Sequence, residues 1–311
     1  MRSIQDILQA DAARLNTTLD LGAATARIEV QCLLQHVLEV PRSYLLAHSE
    51  LVLNATQQAA YDSLLQRRLR GEPVAHILGE REFFGLSFKV TPDTLIPRPE
   101  TELLVELALQ HMPPLQHPDG TTSHSTRLPN YASQVAGYPG GRGRVRVLDM
   151  GTGSGAIALS IAQRRPDADV VAVDASEAAL QVATGNARRL GIANTRFQKS
   201  DWFSELAGQH FNLIVSNPPY IAADDAHLSQ GDVRFEPITA LASGADGLDD
   251  IRRIVAQAED FLEHDAWLLL EHGYDQADKV RSILQQHGFA GVMSAKDIAG
   301  IERVSGGKRS K

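Results

Sequence analysis

The sequence predicts an α/β fold: a doubly wound, mostly parallel seven-stranded sheet, preceded by a small N-terminal helical bundle and a linking β-hairpin. Residues 1–73 show helical periodicity with almost no strand signal. Residues 74–95 contain short aromatic-rich segments separated by glycines. From residue 96 to residue 311, apolar strands alternate with amphipathic helices, which is typical of a parallel sheet covered by helices on both faces.

Three amphipathic helices account for the predicted bundle. Ser3 is placed to cap the first helix, with Asp6 as the third helical residue. Each helix carries apolar residues at intervals of three and four, which places them on one face. These residues are Ile4, Ile7, Leu8 and Leu15 in the first helix, Val30, Leu33, Leu34, Val37 and Leu38 in the second, and Tyr61, Leu64, Leu65 and Leu69 in the third. Pro41 and Gly71 mark the predicted ends of the second and third helices.

The hairpin prediction depends on aromatic residues that flank two glycine turn positions. The aromatic residues are Phe83, Phe84 and Phe88, and the turn positions are Gly79 and Gly85. Several prolines then precede a predicted helix from Glu100 to His111. The hairpin is therefore expected to link the helical bundle to the second domain.

Five segments are predicted to be parallel strands. They are Val145–Met150, Val170–Asp174, Thr195–Lys199, Leu213–Ser216 and Trp267–Glu271. Helices are predicted between them at Ile157–Arg164, Glu177–Leu190, Leu248–Leu262 and Gln276–His287. Residues 289–304 can add a closing antiparallel pair. The tail from Gly306 to Lys311 is more basic and glycine-rich than is usual for a final strand, which leaves the completion of the sheet open.

Composition narrows the classes of function. The formal net charge of -8 lacks the basic excess of a protein that binds phosphates, so nucleic acid is a disfavoured partner. Cys32 is the only cysteine, which excludes an intramolecular disulfide and cysteine-rich metal sites, and it is predicted to be a small core residue. No apolar stretch approaches the roughly 20 residues of a membrane span, and the N-terminal segment lacks the pattern of a secretory signal. We therefore expect a cytoplasmic protein that binds no membrane.

Residues 112–143 form a distinct segment, rich in Pro, Gly, Ser, Thr and His and without periodicity. This composition predicts a flexible surface insertion. The histidines in and beside it, His111, His117 and His124, have no cysteine partners and no regular ligand spacing. No metal site is predicted.

A glycine-rich loop follows the first predicted strand of the sheet. Gly151, Thr152, Gly153, Ser154 and Gly155 connect that strand to a helix beginning near Ala156. Such a loop lets backbone N–H groups approach a ligand at a helix N-terminus. Its third glycine comes two positions after the second, whereas the dinucleotide fingerprint G-x-G-x-x-G requires three, so the nicotinamide pattern is not matched.

Two residues at later strand ends predict an adenosine-containing cofactor. Asp174 ends the second strand about 20 residues after the glycines, where a carboxylate can accept both hydroxyls of a ribose. Trp202 follows Asp201 after the third strand, where an indole can cover an adenine and the carboxylate can accept from its amino group. The alternatives are that Asp174 only caps the next helix and that Trp202 only packs.

The most informative motif is Asn217-Pro218-Pro219-Tyr220, directly after the fourth apolar strand. The two prolines make a rigid strand end without backbone donors. If the Asn217 side-chain oxygen and the Pro218 carbonyl each accept one N–H of a substrate NH2 group, they hold its nitrogen toward an electrophilic methyl. Tyr220 can offer an aromatic face to a substrate amide or to a positive sulfonium. The alternative is a turn that merely ends a strand.

Taken with several further motifs, the chain resembles the protein-(glutamine-N5) methyltransferases that modify class I peptide-chain release factors. The resemblance covers nearly the whole chain except the insertion. The further motifs are Gly71-Glu72-Pro73 with His76, Arg81-Glu82-Phe83, residues 96–102 (Ile-Pro-Arg-Pro-Glu-Thr-Glu), residues 230–237 (Gln-Gly-Asp-Val-Arg-Phe-Glu-Pro) and Leu270-Glu271-His272-Gly273.

The resemblance implies methyl transfer from S-adenosylmethionine, leaving S-adenosylhomocysteine, to the glutamine of a Gly-Gly-Gln loop in release factors, which modulates translation termination. It implies cofactor contacts at residues 151–155, Asp174, Trp202 and Asn217, and substrate binding by residues 217–220, with Asn217, Pro218 and Tyr220 catalytic. It also implies that the helical domain helps to dock the release factor. Arg98 and Glu100 are expected to shape the cofactor pocket, and Arg234 and Glu236 are a candidate ion pair, with a solvated pair as the alternative.

Three alternatives remain open from the sequence. An amino methyltransferase for nucleic acid would use the same acceptors, but it needs a basic groove that the charge balance disfavours. A nicotinamide oxidoreductase is disfavoured by the glycine spacing and leaves residues 217–220 unexplained. A protein-binding module without catalysis is disfavoured by the intact acceptor residues.

Overall fold

The computed structural model describes residues 1–112, 115–116, 122–123 and 144–310. Most of the predicted insertion at 112–143, including His117 and His124, lies outside the described residues. The chain divides into two compact units: Met1–Glu80 with Ser229–Phe235, and Arg81–Leu228 with Glu236–Lys311. The first unit is called the helical unit below, and the second the sheet unit.

The helical unit contains five helices within residues 1–80, two more than the sequence predicted. They are α1 (Ile4–Leu19), α2 (Ala23–Leu38), α3 (Arg42–Ala47), α4 (Ala55–Leu69) and α5 (Val74–Leu78). Ser3 caps α1 as predicted, with both hydrogen bonds of the capping box to Asp6 formed. The helices α3 and α5 have six and five residues, too few to show apolar periodicity.

Helix α5 corrects the predicted start of the hairpin at residue 74. Pro73 precedes this helix, and Gly79, with a φ of 75°, ends it in the left-handed conformation. Gly79 is therefore the end of a helix and not a turn between strands. Cys32 is also less buried than predicted, because the fully buried stripe of α2 runs through Val30, Leu33 and Leu34 and position 32 lies to one side of it.

Segment 229–235 belongs to the helical unit through the buried side chain of Arg68. Arg68 forms ion pairs with Glu29 at 2.7 Å and with Asp232 at 2.8 Å, and its side chain is 2% exposed. The same guanidinium donates to the carbonyls of Gly71 and Glu72, both at 3.1 Å. These four acceptors satisfy the N–H donors of the Arg68 guanidinium, so its charge is tolerated inside the helical unit.

The sheet unit begins with the hairpin and one helix. Strands β1 (Glu80–Phe83) and β2 (Leu86–Lys89) pair with each other, and Phe84 and Gly85 turn between them with φ of 52° and 79°. A 3-10 turn, Pro99–Thr101, leads into α6 (Glu102–His111). Two further short strands, β3 (Leu115–Gln116) and β4 (Thr122–Ser123), pair antiparallel.

Seven strands form the main sheet, in the order β10-β11-β9-β8-β5-β6-β7. The strands and helices from residue 144 onward are β5 (Arg146–Met150), α7 (Ala156–Arg164), β6 (Asp169–Asp174), α8 (Glu177–Leu190), β7 (Thr195–Lys199), β8 (Phe211–Ser216), α9 (Asp249–Ala258), β9 (Leu262–Glu271), α10 (Ala277–Gln286), β10 (Ala290–Lys296) and β11 (Glu302–Lys308). Strands β5 to β9 are parallel, and β11 is antiparallel to both β9 and β10. Two apolar cores pack against the sheet, which confirms the predicted fold class.

The tail completes the sheet, which the sequence left open. Strand β11 runs to Lys308, and its residues from Val304 onward pair with β9. Gly306 and Gly307 are needed there because an added Cβ would lie 2.5 Å from the carbonyl oxygen of Leu268 at Gly306 and 2.8 Å from Cβ of Phe289 at Gly307. The glycines that argued against a strand therefore allow its neighbours to approach closely.

One predicted boundary was wrong at the junction of α9 and β9. The helix predicted over Leu248–Leu262 ends at Ala258, a 3-10 turn follows at Glu259–Phe261, and Leu262 already begins β9. The start of β9 was not predicted because residues 263–265 are polar and exposed, which interrupts the apolar pattern.

Candidate active site

A cavity of about 300 Å³ lies in the sheet unit, where β5, β6 and β8 end side by side. The carboxyl ends of neighbouring parallel strands are where doubly wound folds bind ligands. Of the predicted site residues, those lining the cavity are Gly151, Thr152, Gly153, Ser154, Asp174, Trp202, Asn217 and Pro219. Within the part of the chain that the structure describes, the other three predicted residues do not line the cavity; they are Gly155, Pro218 and Tyr220. The structure therefore groups eight of the eleven predicted residues around one cavity.

The glycine-rich loop is shaped by backbone hydrogen bonds. Gly151, Gly153 and Gly155 all have positive φ, of 69°, 54° and 83°. The N–H of Thr152 donates to the carbonyl of Val173 at 3.0 Å, which ties the loop to β6. Helix α7 begins directly after Gly155, so the loop delivers N–H groups to a helix N-terminus.

Asp149, which the sequence analysis did not select, supports this loop from below. Its Oδ2 accepts from the Thr152 hydroxyl at 2.6 Å and from the N–H of Ala158 at 3.2 Å. The side chain is fully buried, and burial raises its pKa to about 7. A carboxylate inside the apolar strand Val145–Met150 was the signal in the sequence that could have identified it.

Asp174 holds the loop and the next helix at the same time. Its Oδ2 accepts from the N–H of Gly153 at 2.9 Å, and its Oδ1 accepts from the N–H of Ser176 at 2.9 Å. Ser176 in turn caps α8. Burial raises the pKa of Asp174, while these N–H donors lower it. Each carboxylate oxygen retains a second lone pair, so helix capping and a ligand contact are compatible at this residue.

Trp202 lies against the glycine-rich loop. A Cβ added at Gly151 would lie 3.6 Å from the indole ring, which is ordinary contact distance. The indole N–H donates to Asp250 at 3.2 Å, and the backbone of Trp202 has a positive φ of 52°. Asp201 also lines the cavity, but its carboxylate pairs with Arg253 on α9 at 2.7 Å.

Asn217 is positioned by two hydrogen bonds at the end of β8. The hydroxyl of the preceding residue, Ser216, donates to the carbonyl of Met150 at 2.8 Å, which joins the ends of β8 and β5. The Asn217 side-chain nitrogen donates to the Thr101 hydroxyl at 3.3 Å. Because the nitrogen is engaged in this way, the side-chain oxygen is the group left to accept from a ligand.

The rest of the tetrapeptide supports the wall of the cavity. Pro218 is buried, and Tyr220 is half-buried. The carbonyl of Tyr220 accepts from Nε2 of Gln276 at 2.9 Å, and Gln276 was not predicted from the sequence. Burial raises the pKa of the Tyr220 hydroxyl well above its usual range, and the nearby Glu271 raises it further.

Glu236 pairs with Arg98, which corrects the predicted pair of Arg234 and Glu236. The side chain of Glu236 is fully buried, and the Arg98 guanidinium donates to it. Arg234 instead donates to the carbonyl of Arg70 within the helical unit. The sequence placed Arg234 and Glu236 two positions apart, and such spacing does not show which partner a side chain reaches.

Asn186 is a further residue that the sequence analysis missed. This buried side chain on α8 accepts from the N–H of Lys89 at 2.8 Å and donates to the carbonyls of Lys89 and Ser154 at 3.0 and 2.9 Å. It therefore fastens the hairpin to the glycine-rich loop. An amide on the apolar face of a predicted helix was the available signal.

The described ranges contain neither a metal-binding cluster nor a membrane-spanning helix. No cluster of three or more His, Cys, Asp or Glu side chains suited to a metal ion occurs there. No helix in the part of the chain that the structure describes is long and apolar enough to cross a bilayer. His111, one of the histidines considered above, packs its ring against Trp267 with 4.1 Å between the ring centroids.

The cavity is bordered by hydrogen-bond donors, a carboxylate acceptor and an aromatic ring. Backbone N–H groups of the loop, the Asp174 carboxylate and the indole of Trp202 all border one cavity. Solved structures of similar fold include a methyltransferase from Pyrococcus furiosus, with a TM-score of 0.50, 18% identity and coverage of 83% of this chain and 100% of that chain. The hMettl16 catalytic domain, solved with a MAT2A 3'UTR hairpin, has a TM-score of 0.51, 16% identity and coverage of 80% and 82%. The chain therefore shares its fold with solved methyltransferases.

Comparison of the sequence with known families shows the family of the chain, which similarity of fold does not. The family model described as the PrmC N-terminal domain matches residues 12–79, and the methyltransferase small domain matches residues 141–233. Release factor glutamine methyltransferase of Burkholderia pseudomallei is 48% identical, covering 96% of each chain. The protein of the same name from Vibrio cholerae is 44% identical, covering 98% of this chain and 96% of its own. This chain belongs to the release factor glutamine methyltransferase family.

Proposed function

We propose that this chain transfers the methyl group of S-adenosylmethionine to the side-chain amide nitrogen of the glutamine in the Gly-Gly-Gln motif of class I release factors. The observation that carries the proposal is the position of the Asn217 amide at the carboxyl end of β8. Its nitrogen is used by Thr101, and the residue borders the same cavity as the glycine-rich loop. Names of the relatives support the choice of release factors as substrate.

The cofactor would be held by groups that fit a nucleoside with a charged tail. Those N–H groups of the glycine-rich loop that are not bonded within the protein would face the amino acid part of the ligand, Asp174 would accept from the ribose hydroxyls, and the Trp202 indole would cover the adenine. When bound, S-adenosylmethionine supplies an electrophilic methyl group on a positively charged sulfur. Asp174 already serves the loop and α8, so the pocket is preorganised before a ligand arrives.

Amide nitrogen is a poor nucleophile because its lone pair is delocalised into the carbonyl. Asn217 Oδ1 and the Pro218 carbonyl would each accept one N–H of the glutamine amide, which fixes the nitrogen with its lone pair toward the methyl group. Pro218 and Pro219 keep these acceptors rigid. A C–N bond would form while the C–S bond breaks, and S-adenosylhomocysteine would leave with the electron pair on its sulfur. The amide nitrogen would lose one proton to water, because this proton becomes acidic as the methyl is transferred.

We assign docking of the release factor to the helical unit, which matches the family's N-terminal domain. Because release factors act on ribosomes, the reaction takes place in the cytoplasm. Neither nucleic acid nor a membrane is needed as a partner for this reaction. The net charge of -8 supports a protein substrate over a polyanion.

The direct test is mass spectrometry of a release factor incubated with the purified chain and S-adenosylmethionine. We expect a single added methyl group on the glutamine of the Gly-Gly-Gln motif, and none on a release factor carrying Gly-Gly-Ala. Methylation of DNA or RNA with no transfer to the release factor would overturn the proposal. Saturable binding of NAD without binding of S-adenosylmethionine would also overturn it.

The assigned role of Asn217 has its own test. Asn217→Ala should lower kcat about 10²- to 10³-fold, the usual effect of removing one preorganised hydrogen-bonding group from a transition state. The affinity for S-adenosylmethionine, measured by calorimetry, should stay within a few fold because the loop, Asp174 and Trp202 remain. A variant with unchanged turnover would refute the role.

A further inference from the structure

Glu271 is a buried carboxyl beside the tetrapeptide, and the mechanism above does not use it. It ends β9, which lies parallel to β8, with Leu270 opposite Ser216. Glu271 therefore stands next to Asn217 at the carboxyl edge of the sheet. The residue is 2% exposed. Burying a carboxyl at this position costs free energy, so its interactions with neighbours need an explanation.

Two polar side chains meet the Glu271 carboxyl. Burial raises the pKa of Glu271, and hydrogen bonding to the Thr101 hydroxyl and the Asn217 side chain lowers it. Asn217 also donates to the Thr101 hydroxyl at 3.3 Å, so the three side chains form one cluster. Within the described residues, Oε2 of Glu271 has no hydrogen-bond partner. Thr101 is itself buried, at 4% exposed, and it is the N-cap residue of α6.

The orientation of the Asn217 amide depends on its hydrogen-bonding neighbours. The oxygen and the NH2 group of an asparagine side chain are nearly equal in size, so shape alone does not select between the two orientations. An ionised carboxylate can only accept hydrogen bonds. It therefore favours the orientation in which the NH2 group faces Glu271 and the oxygen faces away. In the opposite orientation two NH2 groups, that of Asn217 and that of a substrate amide, would face each other.

We propose that Glu271 is a positioning residue that holds the Asn217 amide with its nitrogen toward the carboxylate and its oxygen toward the substrate nitrogen. Thr101 is the bridge that shares this task. The kinetic test of this proposal rests on the function proposed above. The orientation of the Asn217 amide does not, because it concerns only side chains of this chain.

The proposal predicts a pH-dependent activity. When Glu271 is protonated, its hydroxyl can donate to the Asn217 oxygen and stabilise the wrong orientation. The charged and titratable groups facing Glu271 are Glu100, Arg303 and Tyr220, and Arg98 faces Tyr220. Burial raises the pKa of Glu271 to about 7, and Arg303 opposes this rise. The methylation rate should therefore increase as pH rises through about 7.

Three variants test the proposal on the full chain. Glu271→Ala should lower kcat about tenfold to a hundredfold, with the KM for the release factor and the affinity for S-adenosylmethionine nearly unchanged, because only the acceptor geometry is lost. Glu271→Gln should retain more activity, since its carbonyl oxygen can still accept from Asn217, but its pH step near 7 should disappear. Glu263→Gln, an exposed glutamate on the same strand, is the matched control and should behave like the wild type.

Nuclear magnetic resonance provides a readout that is independent of activity. The side-chain NH2 signals of Asn217, assigned by their loss in Asn217→Asp, should shift with pH near 7 in the wild type and not in Glu271→Gln. Equal pH titration of these signals in both proteins would overturn the proposal, as would wild-type kcat in Glu271→Ala. A wild type that fails to methylate release factors would overturn only the proposed function, since the titration of the Asn217 signals would still decide the role of Glu271.

Discussion

Gly247 offers a sharp test of how closely the tetrapeptide is held. It is buried, with a φ of +75°, and it faces the carbonyl of Tyr220 and the side chain of Gln276. A Cβ at this position would lie 2.2 Å from the Tyr220 oxygen and 2.8 Å from Nε2 of Gln276. Gly247→Ala therefore inserts one methyl group at the hydrogen bond that joins Gln276 to the end of the tetrapeptide.

The expected cost has two parts. A left-handed backbone costs an alanine about 1–2 kcal/mol, which glycine avoids. Ordinary contact begins at 3.4 Å, so the Tyr220 carbonyl must also retreat by about 1 Å. Overpacking of this kind adds about 1–3 kcal/mol. Because a displacement of about 1 Å in a catalytic group can cost about 10²-fold in rate, kcat should fall by about that factor.

Gly208→Ala is the matched control. Gly208 has the same φ of +75° but is exposed, and an added Cβ would meet nothing within 4 Å. It should show only the backbone cost and keep full activity. Urea denaturation and initial methylation rates of both variants measure the two parts separately. Equal losses of stability, together with full activity in Gly247→Ala, would refute the claim that the Tyr220 carbonyl is held against Gly247.

Three further predictions follow from buried charges. Asp174→Ala should weaken binding of S-adenosylmethionine by about 1–3 kcal/mol, or about 5- to 150-fold, through lost buried hydrogen bonds; unchanged affinity by calorimetry would remove Asp174 from the cofactor site. The pKa of Glu271 is about 7, against its ordinary value of 4.5, so folding takes up a proton and wild-type stability declines as pH rises between these values. At about 1.36 kcal/mol per pKa unit this amounts to about 3 kcal/mol, so Glu271→Gln should gain stability relative to the wild type from pH 5 to pH 8 in denaturant titrations, and parallel pH profiles would contradict the shift. Arg68→Ala should destabilise the helical unit by about 3–5 kcal/mol because it leaves the carboxylate of Glu29, which is only 14% exposed, unpaired. Arg70→Ala, at an exposed neighbour, should cost little, and similar losses in both variants would count against the ion pairs of Arg68.

Much of the sheet unit followed from local patterns in the sequence. Apolar runs bounded by turns located β5, β6 and β8 to within two residues at their starts, and β7 was located without error although it is mostly polar. A parallel sheet makes such runs conspicuous because both faces are buried. The start of β9 was missed because its first residues project beyond the covered part of the sheet and are polar.

The elements that escaped prediction depend on contacts between distant residues. Helices α3 and α5 are too short for periodicity, and β11 contains glycines that only the closeness of β9 and β10 explains. Partners of buried charges also escaped, since Glu236 meets Arg98 across 138 positions. Local sequence identifies which side chains are chemically able to act, whereas the fold determines which of them meet.

Asp149 and Glu271 show one physical rule at two places in the site. Each is a buried carboxyl at the carboxyl end of a parallel strand, and burial raises the pKa of each to about 7. Asp149 accepts from Thr152 in the glycine-rich loop, and Glu271, next to Asn217 in the register of β8 and β9, has the orienting role proposed above. A buried acceptor orients the donors above it more strictly than water would, because few other partners are available in the interior. A buried carboxyl lowers the free energy of unfolding as it ionises. Each of these acids therefore reduces stability at neutral pH while it fixes the orientation of a loop that forms the cavity.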